Sequence, residues 1–155
     1  MKVREIMNAP AVVVREDCTL QEAAETMLAK KIGCLPVVND GAAIVGIVTE
    51  SDFAAREAGI PFSLFRFPQV FGRWMPPEGV EQIYEAARRT QVRQIMTRPA
   101  VFVEEDDSLE ALLEKMLRTG FHRLPVVRDG KPVGVVARHD LLRLLCGGRV
   151  PGTAD

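Results

Sequence analysis

The stretch VREIMNAPAVVV at residues 3–14 returns as VRQIMTRPAVFV at residues 92–103, and this duplication predicts the fold. The similarity extends further, because residues 3–44 align with residues 92–133 at a constant offset of 89, and 20 of the 42 aligned pairs are identical. Each copy of an internal repeat is one structural unit. The chain is therefore expected to fold as an intramolecular pair of similar units with a shared cleft and two related sites.

The repeat also sets the expected domain organisation. After a one-residue slip, GIVTESD at 46–52 matches GVVARHD at 134–140. The stretch between the copies has no counterpart, and the closing GGRVPGTAD is typical of a frayed tail. The predicted divisions are a first repeat, an insert, a second repeat and a tail, at residues 1–55, 56–91, 92–146 and 147–155.

Each repeat reads as strand, helix, strand, strand, helix, which predicts an α/β fold. A capping box formed by Thr19 and Glu22 begins the first helix, and Ser51 or Asp52 is expected to cap the second. Gly41 is expected to supply the positive φ of a tight turn between the last two strands. The predicted strands lie at 11–14, 35–38, 44–49, 101–103, 124–127 and 133–137, and the second-copy helices at 108–118 and 139–145, with a turn at 129–130.

Composition limits the classes of function. The chain is 47% apolar and 26% charged with a net charge of −1, so no global field favours nucleic acid. Its apolar runs have the length of strands, which predicts no membrane insertion, and its first residues lack the apolar core of a signal peptide. Three cysteines without a CxxC pair favour a reducing, cytoplasmic location.

The insert holds most of the aromatic residues. A helix at 78–89 is predicted after the Met75-Pro-Pro stop, and three roles remain open: packing or dimerisation, a ligand-gated lid, or docking of a separate partner. Five of the aromatic residues fall within 13 positions of the insert, at Phe62, Phe65, Phe67, Phe71 and Trp74.

Four motifs, each occurring twice in the same order, resemble the CBS domain, the family named after cystathionine β-synthase, present here as a tandem pair. The motifs are I-M-x-x-P, D-x-[ST]-L, L-P-V-V-x-D-G and G-h-V-x-x-x-D, where h is apolar. They stand at residues 6–10, 17–20, 35–41 and 46–52, and again at 95–99, 106–109, 124–130 and 134–140. The resemblance covers the chain apart from the insert and the tail, and it implies a pseudo-two-fold pair of β-α-β-β-α repeats.

The resemblance also implies a regulatory cleft for an adenosine-containing ligand such as AMP, ADP, ATP, S-adenosylmethionine or a dinucleotide. In this family the aspartate of the last motif accepts hydrogen bonds from the ribose hydroxyls, a role that falls to Asp52 and Asp140. An ionised carboxylate suits a cis-diol, with about 1.5–3 kcal/mol per charge-assisted hydrogen bond. Phosphate or ribose contact is implied for Thr49, and backbone near the L-P-V motif is expected to recognise adenine. Candidates around that apolar slot are Cys34, Pro36 and Pro125.

The two expected sites are unequal, because Ala137 stands where the motif has threonine. The second copy instead offers basic and hydroxyl side chains, and guanidinium groups suit phosphate. We therefore expect phosphate to be held mainly by second-copy residues, with the other site empty or holding a nucleoside. The second-copy candidates are Thr97, Arg98, His122, Arg123, Arg138 and His139. The first copy has no basic residue at the matching places, which are Asn8, Ala9, Gly33 and Cys34.

Plainer roles stay open for these residues. Asp52 and Asp140 stand where helix N-caps are common. Thr49 fits the end of a strand, Thr97 fits a turn, and the histidines and Arg123 fit a solvated surface.

The resemblance favours a binding module over other classes of protein. CBS pairs commonly form disc-like homodimers and regulate an attached enzyme or transporter. None is attached here, so the expected target is an unidentified partner in trans. The sequence has no G-x-S-x-G, HExxH or Walker A motif, and its two histidines form no metal-ligand spacing, so neither an enzyme nor a metal or cofactor is expected. The open alternative is a ligand-free dimerisation scaffold.

Overall fold

The chain forms two compact α/β units in a computed structural model that describes residues 1–53, 85 and 88–145. The first-repeat unit comprises residues 13–100, and the second-repeat unit comprises residues 1–12 and 101–155. The aromatic residues of the insert and the tail lie outside the described residues, as does nearly all of the helix predicted at 78–89. The repeat boundaries drawn from the alignment stay a prediction.

The first-repeat unit is built on a three-stranded sheet in the order β1-β2-β3. Strand β1 (Val14–Arg15) runs parallel to β2 (Cys34–Val38), and β2 pairs antiparallel with β3 (Ile44–Thr49). Helix α1 (Leu20–Lys30) connects the parallel pair, and α2 (Glu50–Phe53) follows β3. A helical crossover is the usual way to join parallel neighbours.

The second-repeat unit has the same order of elements. Its sheet consists of β4 (Val103–Glu104), β5 (Arg123–Arg128) and β6 (Lys131–Ala137), with β4 parallel and β6 antiparallel to β5. Helix α3 (Leu109–Thr119) crosses between β4 and β5, and α4 (Arg138–Leu145) follows β6. The predicted α/β class and the duplicated order of elements are confirmed.

The first strand of each repeat is shorter than predicted. The apolar run at 11–14 predicted a strand, yet only Val14 belongs to β1. The backbone N–H of Ala11 instead donates to the carbonyl oxygen of Val133 at 3.1 Å, in the second-repeat unit. Ala11 therefore continues the pairing of the residues before it with the second-repeat sheet and does not belong to β1.

The first residues of each repeat pack into the other repeat's unit. We call residues 3–10 and 92–99 the lead segments. In the second-repeat unit, Val3 is fully buried and Ile6 is 7% exposed, and both pack in one core with Leu112 and Leu124. Burying a side chain of this kind stabilises by about 1.5–3 kcal/mol. The first lead segment is therefore part of the second-repeat core.

The second lead segment docks in the matching way on the first-repeat unit. The N–H of Val92 donates to the carbonyl oxygen of Cys18 at 2.8 Å, as the N–H of Val3 donates to that of Asp107 at 3.0 Å. Val92 is also fully buried. Each lead segment thus begins as a 3₁₀ turn, Val3–Glu5 or Val92–Gln94, held beside the first helix of its unit.

The predicted capping box is confirmed. The Thr19 hydroxyl accepts from the N–H of Glu22 at 3.2 Å, and the Glu22 carboxylate accepts from the N–H of Thr19 at 2.7 Å. In the second copy, Ser108 caps α3 by accepting from the N–H of Ala111.

The first hairpin turn differs from its prediction. Ala42, and not Gly41, holds the positive φ, at 62°. The Asn39 side-chain oxygen accepts from the N–H groups of Gly41 at 3.0 Å and Ala43 at 3.1 Å, which places the left-handed residue one position later. The second hairpin has the predicted Asp129-Gly130 turn, with φ values of 52° and 73°.

Candidate functional site

The glycine of the repeated G-h-V motif brings a lead segment to each candidate site. In the second-repeat unit, Asn8 and Val135 exchange two backbone hydrogen bonds, of 2.9 and 3.0 Å. A Cβ atom on the adjacent Gly134 would lie 2.9 Å from the carbonyl oxygen of Asn8. Only glycine allows this approach of the two backbones.

The first-repeat unit repeats the arrangement with its own residues. Thr97 and Ile47 exchange backbone hydrogen bonds of 2.9 and 3.2 Å. A Cβ atom on Gly46 would lie 3.0 Å from the carbonyl oxygen of Thr97. Thr97 therefore takes in the first-repeat unit the place that Asn8 takes in the second.

Because each lead segment docks on the sheet of the other repeat, the expected grouping of the site residues is wrong. Thr97 and Arg98 were expected beside the basic residues of the second copy, and Asn8 beside those of the first. The structure places Thr97 with the first-repeat sheet and Asn8 with the second-repeat sheet. The physical reason is the docking of Val3 and Ile6 in the second-repeat core.

Asp140 is the centre of a hydrogen-bonded cluster in the second-repeat unit. It is the third residue of α4, is 3% exposed, and accepts from the N–H of Ala137 at 2.7 Å. The Nδ2 atom of Asn8 lies 2.9 Å from each of its carboxylate oxygens. Arg143 Nη2 lies 3.7 Å from one of those oxygens and donates to the Asn8 side-chain oxygen at 3.3 Å. The buried carboxylate is therefore paired with a cation and with two N–H donor groups.

Asp52 stands in the same position in the first-repeat unit. It is the third residue of α2, is half-buried, and accepts from the N–H of Thr49 at 2.8 Å and from the Thr49 hydroxyl at 3.3 Å. The Thr49 hydroxyl also lies 2.7 Å from the Ser51 hydroxyl. In both units the aspartate thus bonds back to the residue before the helix, rather than acting as the N-cap itself.

The basic candidates of the second copy lie on the surface around the start of α4. The side chains of His122, Arg123, Arg138 and His139 are exposed. The N–H of Arg138 donates to the carbonyl oxygen of His122 at 2.9 Å, which joins the start of α4 to the start of β5. Arg98, exposed in the first-repeat unit, is the basic residue nearest in sequence to Thr97.

The candidates near the L-P-V motif lie inside their sheets. Cys34 is 4% exposed, Pro36 is fully buried and Pro125 is buried. Their positions on β2 and β5 match across the repeats, because Pro36 pairs with Ile47 and Pro125 with Val135. Ile47 and Val135 are also the partners of the two lead segments, so these prolines stand one strand away from Thr97 and Asn8.

Sequence reasoning missed the roles of Asn8 and Arg143. In the sequence, Asn8 stands out only as a position without a basic residue, and Arg143 lies outside the repeated motifs. The spacing of Arg143, three residues after Asp140 on one helix, is a signal for an ion pair that the sequence did contain. Asn8 left no such signal, because its contact depends on the exchange of the lead segments.

Two features are absent from the part of the chain that the structure describes. Residues 1–53, 85 and 88–145 contain no group of three or more His, Cys, Asp or Glu side chains able to hold a metal ion. No helix in that part of the chain is long and apolar enough to cross a bilayer.

The two units and their repeated motifs define a tandem CBS protein, and the chain belongs to the CBS domain family, whose profile matches residues 3–59 and 92–147. The chain is 43% identical to the CBS domain of a CBS domain-containing membrane protein from Sphaerobacter thermophilus. That structure superposes with a TM-score of 0.72 over 93% of this chain and 87% of the other.

Curated relatives show the same family. CBSX2, a chloroplastic CBS domain-containing protein of Arabidopsis thaliana, is 30% identical over 84% of this chain and 57% of its own length. An uncharacterized protein of Methanocaldococcus jannaschii, MJ1426, is 30% identical over 94% of this chain and 91% of its own. The chain spans between 42% and 57% of the first three curated relatives that it matches.

Proposed function

We propose that this chain is a regulatory module that binds an adenosine-containing ligand, AMP, ADP, ATP or S-adenosylmethionine, and passes the signal to a separate partner protein. The observation that carries the proposal is the repeated position of Asp52 and Asp140. Each is the third residue of the helix after the last strand, in a unit whose lead segment docks on that strand. Two related ribose sites would each need a carboxylate at the same place, and the matching helix positions of Asp52 and Asp140 provide one in each unit.

Each site offers hydrogen-bonding partners for both the ribose and the phosphate of a nucleotide. A carboxylate accepts from both hydroxyls of a ribose, and the bonds are strengthened by its charge. The exposed Arg123, Arg138 and His139 supply donors for phosphate beside the Asp140 cluster. In the first-repeat unit, the hydroxyls of Thr49 and Thr97 and the cation of Arg98 serve the same purpose.

Named relatives support an adenosine ligand. CBSX2, the 30% identical relative, has a crystal structure in complex with AMP. Occupancy of a site would change the affinity for a partner protein only if the ligand binds two states of the chain with different affinities.

A homodimer is part of the proposal, as is cytoplasmic location.

Thermal unfolding at fixed protein concentration, with AMP, ADP, ATP, S-adenosylmethionine and NAD in turn, tests the proposal. A ligand at about 100 times its dissociation constant adds about 2.7 kcal/mol to stability. The matched variants are Asp52→Asn and Asp140→Asn, which keep the side-chain volume and remove the charge. Each is compared with its own ligand-free sample, so a loss of folding stability is separated from a loss of binding.

A rise in Tm with one of these ligands, lost in at least one aspartate variant, is the expected result. No rise with any of the five would overturn the adenosine proposal. The scaffold alternative would then hold if the chain still formed a dimer by sedimentation.

A further inference from the structure

The side chain of Asn8 occupies the acceptors that the proposed ligand needs. Its Nδ2 atom lies 2.9 Å from both carboxylate oxygens of Asp140. A ribose would present its two hydroxyls to the same pair of oxygens. The amide nitrogen of Asn8 is therefore positioned as an internal substitute for the ribose diol.

The surroundings hold Asn8 in this position. Arg143 donates to the Asn8 side-chain oxygen at 3.3 Å while it faces Asp140 at 3.7 Å. The backbone of Asn8 is fixed by its pairing with Val135. Asn8 itself is exposed, whereas Asp140 beneath it is 3% exposed. The amide is thus a surface group that covers a buried carboxylate.

We propose that Asn8 gates the site at Asp140. A nucleotide reaches this carboxylate only when the Asn8 amide turns away, so each binding event costs the Asn8–Asp140 hydrogen bonds. This inference rests on the proposed function and adds to it a condition for ligand access at Asp140.

The matching residue of the first-repeat unit is a threonine. Thr97 takes the place of Asn8, pairing with Ile47 as Asn8 pairs with Val135. A threonine hydroxyl has one O–H donor, whereas a primary amide has two N–H donors on a longer arm. A threonine at position 8 would therefore not cover both carboxylate oxygens of Asp140.

Substitution of Asn8 tests the gate directly. AMP binding is measured by isothermal titration on Asp52→Asn, where only the site at Asp140 keeps its carboxylate, and on the same chain with Asn8→Thr added. The expected result is AMP binding at least about tenfold tighter with Asn8→Thr, because a hydrogen bond to a charged group no longer competes. Adding Asp140→Asn should remove this gain. Asn8→Ser, smaller still, serves if Asn8→Thr does not fold.

The chain carrying Asp140→Asn, with and without Asn8→Thr, is the matched control. If Asn8→Thr and Asn8→Ser leave AMP binding unchanged while the wild-type chain binds AMP, the gate is overturned and the proposed function stands. If the wild-type chain binds none of AMP, ADP, ATP and S-adenosylmethionine, the proposed function is overturned and the gate with it.

Discussion

Gly134 lies so close to Asn8 that a methyl group in place of its hydrogen would come within 2.9 Å of the Asn8 carbonyl oxygen. The same methyl group would lie 2.7 Å from the sulfur of Met7. A methionine side chain can move aside, but the backbone carbonyl is held by its bond to Val135. The glycine of the repeated motif therefore sets how closely the lead segment docks.

Gly134→Ala should destabilise the fold by about 1–3 kcal/mol, because the added methyl group overpacks the contact with the lead segment. Chemical denaturation of the variant measures this loss. Gly41→Ala is the matched control, since its Cβ would meet only the Asn39 side-chain oxygen at 3.4 Å. Equal stability of Gly134→Ala and wild type would contradict the role given to this close approach.

Ala42→Gly should stabilise the chain by about 0.5–1 kcal/mol. Ala42 holds a φ of 62°, a left-handed conformation that an L residue with a Cβ adopts at a cost and glycine adopts freely. Denaturation midpoints of wild type and variant give the difference. Ala43→Gly, one residue later and without a positive φ, should instead lower stability. A fall in stability for Ala42→Gly would contradict the left-handed conformation of Ala42.

Acid should weaken the second-repeat unit through Glu105. Arg128 forms a bidentate ion pair with this buried carboxylate, and its Nη2 atom lies 2.6 Å from Oε2. The hydrogen bonding from Arg128 holds the pKa of Glu105 below its ordinary value of 4.5. A carboxyl whose pKa is lowered by folding stabilises above its unfolded pKa and loses that contribution as pH falls through the folded value. The stabilisation of the fold by ionised Glu105 should therefore be complete at pH 7 and should decline below about pH 4.5.

Glu105→Gln isolates this contribution. The variant should be less stable than wild type at pH 7, and the gap in Tm should narrow as pH is lowered towards 3. Glu104→Gln, on an exposed neighbour, is the matched control. A gap that stays constant over this range would mean that the ion pair does not govern the acid response.

Cys18 should react slowly with alkylating reagents. Burial, with further contributions from Glu22 and Asp17, raises the pKa of its thiol to about 11. Since the thiolate is the nucleophile, at pH 8 the reactive fraction is about a hundredfold below that of a thiol with the ordinary value of 9.0. Peptide mass spectrometry after a timed iodoacetamide pulse measures the rate, and urea-unfolded protein gives the reference. Labelling of Cys18 at the unfolded rate would contradict the raised pKa.

Much of the fold could be predicted from the sequence because its local signals agree. The strand at 44–49 is confirmed residue for residue, and the Thr19–Glu22 capping box forms as predicted. The first hairpin turn was predicted less accurately, because the Asn39 side chain places the positive φ at Ala42 rather than at Gly41. A single side-chain hydrogen bond can shift such a turn without changing the strands beside it.

The exchange of the lead segments could not be predicted, and the candidate sites depend on it. Residues 3–10 and 92–99 carry the same apolar positions, Val3 and Ile6 matching Val92 and Ile95, so either segment fits either sheet. Nothing local distinguishes packing on its own repeat from packing on the other. The grouping of Asn8 with Asp140, and the place of Thr97 beside Ile47 on the first-repeat sheet, therefore came only from the structure.

Asp52 and Asp140 are proposed to bind the ribose of an adenosine-containing ligand. Isothermal titration of AMP into the wild-type chain and into the double variant Asp52→Asn/Asp140→Asn tests this proposal most directly, with circular dichroism to show that both are folded. Binding to the wild type that is lost in the folded double variant is the predicted result. Equal binding by the two proteins would contradict the assignment of both aspartates.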